Sequence, residues 1–138
     1  MSLLRSLMAV PDQLTVSSRF TITNGFVYLG AGALLLTWPG AVQTLMFGDE
    51  FAGHESALIR VLGMAVAIIG WCYVFGGRTG GRQVVAASVP GRVLLVPAVL
   101  VPLAYSGVFP VLLGTFAVLD PILGFVAWYL LAREDHGT

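Results

Sequence analysis

The 138-residue chain carries seven basic and seven acidic residues, so its formal charge is zero, and only 10% of its residues are charged against 57% apolar. An average soluble domain is about 25% charged, so this chain cannot cover a water-facing surface, and its mean hydropathy of +0.90 agrees. Zero net charge without a basic cluster excludes an electrostatic nucleic-acid binder, and a lone cysteine, Cys72, excludes an intrachain disulfide.

The first ten residues, Met1 to Val10, hold a short apolar run interrupted by Arg5 and followed by Pro11, with no convincing small-residue cleavage site. They read as a short helix on the inner membrane surface. A helix needs roughly 20 mainly apolar residues to cross about 30 Å of hydrocarbon. Four stretches meet that requirement: 20–38, 57–76, 84–106 and 109–132. The expected fold is all-α, one integral membrane domain over residues 1–138: a four-helix transmembrane bundle running up-down-up-down.

The punctuation fits. Trp38-Pro39-Gly40 closes the first span, because proline cannot continue the hydrogen-bond ladder. Ala41 to Phe47 is expected to lie in the outer interface before the acidic stretch Asp49, Glu50 and Glu55. The run Gly76 to Arg82 (GGRTGGR) reads as a flexible turn, since it matches no phosphate-binding fingerprint and follows no strand. Ser106-Gly107 makes the last connection so short that spans three and four must be antiparallel neighbours.

Arginine sets the orientation. Arg5 and Arg19 precede span one, Arg78 and Arg82 lie between spans two and three, and Arg133 follows span four. The other two connections hold no basic residue, so both termini are expected on the cytoplasmic side. Trp71, Tyr73, Trp128 and Tyr129 then form an aromatic belt at the inner interface. The basic residues are all arginine, which with the Ala, Val and Gly content suggests a high-GC bacterial genome, so the expected location is a bacterial plasma membrane.

Three ionisable residues fall inside the spans, where each costs roughly 2.5–3.5 kcal/mol on insertion scales: Arg60, Arg92 and Asp120. Asp120 lies mid-span beside Pro121, which strips the Ala117 carbonyl of its helical partner. At about 1.5 Å per residue, Arg92 sits roughly 12 Å, and Asp120 roughly 18 Å, above the inner ends of their helices. An arginine spans that difference, so an Arg92–Asp120 ion pair is expected. Arg60 either snorkels outward to Glu55, Glu50 or lipid phosphate, or turns inward toward Asp120.

Asn24, with Thr21 and Thr23, either lines the same cavity or makes interhelical hydrogen bonds worth about 1 kcal/mol or less. Gly25, Gly32 and Ala33 on span one, and Gly63, Ala67 and Gly70 on span two, read as close-packing faces. His54 has no second histidine near it, so a metal site in the outer loop is not expected. No nucleophile triad can be assembled, and no cofactor is expected.

Gly70-Trp71-Cys72-Tyr73, then Arg78, Arg82 and Gly91-Arg92, resemble small four-span bacterial membrane proteins of unknown function, the DoxX-like or BphX-like group, chiefly over residues 56–105. That resemblance implies a membrane accessory protein and assigns no catalytic residue. The four-span multidrug transporters match in span count but carry a first-span glutamate that this chain lacks. The expected function is a non-enzymatic accessory or small-ligand-binding protein. Its polar cluster is Asp120, Arg92, Arg60 and Asn24, and its partners are the lipid bilayer and either an apolar small molecule or another membrane protein. The alternative is a small proton-coupled transporter acting as a homo-oligomer.

Overall fold

The computed structural model describes residues 13–79 and 81–136, so the expectation for Met1 to Val10 lies outside the described residues. The described chain is all-helical. We number its helices α1 (Val16–Thr37), α2 (Ala41–Met46), α3 (Glu55–Arg78), α4 (Arg82–Tyr105) and α5 (Pro110–His136). Four of them, α1, α3, α4 and α5, are long and apolar enough to cross a membrane.

The helix ends differ from expectation for physical reasons. Helix α1 starts at Val16, four residues earlier than hydropathy alone indicates, because its polar first turn is capped twice. Thr15 accepts from the Ser18 amide as N-cap. Glu134 of α5 reaches across to accept from the Ser17 amide at 2.8 Å and the Ser17 hydroxyl at 2.9 Å, a carboxylate at the positive end of a helix dipole.

Gly76 and Gly77 are not a loop, as the glycine-rich run suggested. Helix α3 continues through Arg78, because Gly77 is one of three glycines on its buried face. Gly63, Gly70 and Gly77 recur every seven residues, matching Gly25 and Gly32 on α1. A β-carbon added at Gly63 would lie 2.5 Å from the Leu36 amide nitrogen, and one at Gly70 the same distance from that of Leu29. One at Gly77 would lie 2.7 Å from Ile22 Cγ1. One at Gly32 would collide with the Ala67 amide. Small residues let helix backbones approach this closely, and α1–α3 is the tightest seam of the fold. Gly25 meets Gly70 and Val74 while Gly32 meets Gly63 and Ala67, so sequence advances in opposite directions along the two helices. Ala33 points away and is exposed.

At one end Leu35, Val42, Ile59 and Leu112 form a core cluster, with Phe51 and Phe109 packed on it. The short helix α2 contributes by burying Ala41 and Val42. At the other end Val85, Ala127 and Leu131 pack with Phe20 and Val89. Most large apolar side chains point outward, including Phe26, Leu58, Leu94, Val118 and Trp128, each more than half exposed. An outward apolar surface of that extent is what hydrocarbon, not water, accommodates.

Candidate functional site between Tyr28, Tyr73, Arg92 and Asp120

Helix α4 is irregular where it carries Arg92. Residues Gly91–Leu95 form a π-helical turn, and the Val96 amide donates five residues back, to the Gly91 carbonyl. Pro97 is the cause. It has no N–H to give the Val93 carbonyl, and its ring crowds that carbonyl, so the ladder widens by one residue. Such wide turns recur at functional sites.

The wide turn aims Arg92 inward, where it is 4% exposed. Its guanidinium carbon lies 4.2 Å from the Tyr73 ring centre and 5.2 Å from that of Tyr28. Its Nε donates to the Tyr73 hydroxyl at 3.1 Å. The two tyrosine rings meet edge-on, with centroids 5.7 Å apart, and Phe116 of α5 closes on Tyr28 at 6.4 Å. Together they make an aromatic cradle for the cation.

Asp120 enters from α5 and is 7% exposed. Gly124, one turn later, lets α4 come close: a β-carbon there would lie 2.9 Å from Val93 Cγ2 and 3.0 Å from Arg92 Cβ. Arg92, Asp120, Tyr28 and Tyr73 line one cavity of about 360 Å³.

The expected Arg92–Asp120 ion pair does not close. Among the described residues Arg92 takes Tyr73 as its hydrogen-bond partner instead, and Arg92 Nη2 and Asp120 Oδ1 are both buried without one. The Tyr28 hydroxyl is in the same condition. Residues from three helices thus line a single cavity, each with a buried polar atom left unpaired.

The other two expected members lie elsewhere. Arg60 is exposed on α3 and its Nη1 donates to the Leu36 carbonyl at 2.8 Å. A cation there satisfies the negative end of α1, so it goes neither to Asp120 nor to the outer acids. Glu55 instead accepts from the Ala52 amide at 2.7 Å. Asn24 is buried with Nδ2 unpaired, but it is not in the cavity wall. Thr21 and Thr23 bond their own helix, to the Ser17 and Arg19 carbonyls.

Sequence reasoning missed the two tyrosines. Tyr73 reads as an interfacial aromatic, and Tyr28 stands in an apolar run. A signal existed for Tyr28: Thr21, Asn24, Tyr28, Gly32 and Leu35 recur at spacings of three and four, one buried helical face. Comparison with family models, with curated proteins and with solved structures gave no match for this chain.

Proposed function

We propose that the chain is a multi-pass integral membrane protein that binds a small molecule beside Arg92 and Asp120, acting as an accessory or carrier and not through covalent chemistry. The observation that carries this reading is that Arg92, Asp120 and Tyr28 line one cavity while Arg92 Nη2, Asp120 Oδ1 and the Tyr28 hydroxyl are all buried and unpaired. Each unsatisfied buried polar group costs about 1–3 kcal/mol, more when charged. A pair that merely fixed helix register would bond directly. These two stand apart, and a bound group bearing both a donor and an acceptor satisfies them together.

The reading includes an up-down-up-down bundle with both termini on the cytoplasmic side of a bacterial plasma membrane. Support comes from the Ser17–Glu134 bonds and the Gly77–Ile22 approach, which join the start of α1 to the ends of α5 and α3. Val85 against Leu131 adds the start of α4 to the same end. Arg19, Arg78, Arg82 and Arg133 all belong to these termini, as a cytoplasmic face requires. The DoxX-like resemblance is in line with an accessory role.

The test is thermal unfolding of detergent-purified protein, alone and with fractions of a membrane lipid extract. Binding predicts that one fraction raises Tm of the wild type and leaves Asp120→Asn and Arg92→Gln unmoved. If every fraction shifts all three proteins equally, the cluster is not a binding site.

A further inference from the structure

The cavity beside Arg92 continues into a second. A lobe of about 370 Å³ shares Tyr28, Ile69, Leu95, Val96 and Asp120 with it and runs on between Leu62 and Val66 of α3 and Val99 and Leu100 of α4. Past Asp120 and Tyr28 that wall is entirely apolar. Each lobe falls at the lower end of the range for small-molecule pockets, about 300–1,000 Å³.

The lobe exists because α4 leaves α3 partway along. Among the described residues the backbone of Arg82–Pro90 packs on both α3 and α5, whereas Gly91–Leu95 and Val96–Tyr105 follow α5. The departure coincides with the wide turn that Pro97 imposes. The rim residues Ile68, Ile69, Leu95 and Val99 are 55%, 41%, 66% and 49% exposed, so the cleft opens sideways through an apolar mouth. In a protein that spans a membrane, that mouth faces lipid chains and not water.

The chemistry at the inner end selects the head group. Arg92 Nη2 offers a donor on a cation and Asp120 Oδ1 an acceptor on a carboxyl, each more than nine-tenths buried. A phosphate or carboxylate head would match the arginine but meet the aspartate acceptor against acceptor. An ammonium head would do the reverse. A hydroxyl accepts from one and donates to the other, and it adds no net charge to a low-dielectric site where uncompensated charge is costly.

Resting on the ligand-site reading above, we propose that the cleft takes a neutral single-chain amphiphile with a hydroxyl head, of the monoacylglycerol type. It enters laterally from the bilayer, lodges its head between Arg92 and Asp120, and lays its chain between α3 and α4. One apolar lobe of this volume accommodates a single chain, which disfavours two-chain phospholipids.

The experiment is photolabelling in phosphatidylcholine nanodiscs with a monoacylglycerol carrying a diazirine near its chain end, read by peptide mass spectrometry. Label is expected on 62–69 of α3 and 96–100 of α4. Excess unlabelled monoacylglycerol should compete it away. Asp120→Asn should lower it at least tenfold. Val99→Trp fills the chain lobe from an exposed wall, leaves the polar residues untouched, and should abolish label with the fold intact by circular dichroism. Label spread evenly over Phe26, Leu58, Val118 and Trp128, without competition, overturns the proposal. If that happens while some extract fraction still stabilises wild type over Asp120→Asn, the amphiphile class falls and the binding reading stands. If neither effect appears, both fall.

Discussion

Tyr73 holds Arg92 twice: its ring lies 4.2 Å from the guanidinium carbon, and its hydroxyl accepts from Nε at 3.1 Å. The residue that fixes the buried cation is therefore an aromatic on α3 and not the carboxyl on α5. This leaves Asp120 and the remaining guanidinium nitrogen to address a third body. The two contacts separate by mutation. Tyr73→Phe keeps the ring and loses a charge-assisted hydrogen bond, an expected destabilisation of about 1.5–3 kcal/mol. Tyr73→Leu loses the ring attraction too, a further 0.5–2 kcal/mol or about that. Unfolding free energies of the two variants in detergent separate the contacts: if the ring matters and the hydroxyl does not, Tyr73→Phe is neutral and only Tyr73→Leu destabilises.

The α1–α3 seam gives a second prediction. Gly70→Ala places a methyl against the Leu29 backbone, which cannot yield without parting the helices, and overpacking of this kind costs typically about 1–3 kcal/mol. Gly30, on the same α1 helix, has open space around it. Gly30→Ala should be neutral or stabilising, by up to about 1 kcal/mol from helix propensity. Thermal unfolding distinguishes a Tm drop in the first from none in the second.

The cap that joins the two ends of the chain is testable by a double-mutant cycle. Glu134→Ala and Ser17→Ala should each destabilise by about 0.5–2 kcal/mol. The pair should cost less than the sum, because each single change already removes the Ser17 hydroxyl–Glu134 bond, whereas the Ser17 amide–Glu134 bond is lost only with Glu134. Strict additivity would mean that the two residues do not interact.

Orientation is open to labelling. In a Cys72→Ser background, a cysteine at Asp49 should react with a membrane-impermeant maleimide added outside intact cells. A cysteine at Thr79 should react only after permeabilisation. The opposite pattern would invert the bundle.

These relationships were legible in the sequence to different depths. The four spans were readable because lipid demands a minimum run of apolar residues, and hydropathy reports that directly. Their ends were less so: Ser17 looks like an interface or loop residue until Glu134, more than a hundred positions away, is known to cap it. Gly77 looked like part of a flexible turn because its role as the third tooth of a seven-residue glycine repeat depends on α1 lying opposite. Arg92 and Asp120 announced themselves by the cost of charge in a membrane. Their separation did not, since rise per residue gives height along a helix but not the direction in which a π turn aims a side chain. Arg60 was ambiguous for a like reason: a backbone carbonyl at the end of α1 satisfies it, and backbone acceptors leave no mark in composition.

In the proposed function Arg92 and Asp120 hold a molecule between them. Native mass spectrometry of the protein released gently from its own membranes tests it most directly. A stoichiometric adduct of one small-molecule mass, present on wild type and lost from Asp120→Asn under conditions where both remain folded, is the predicted result. Wild type that flies bare, or an adduct that survives Asp120→Asn and Arg92→Gln unchanged, would contradict it.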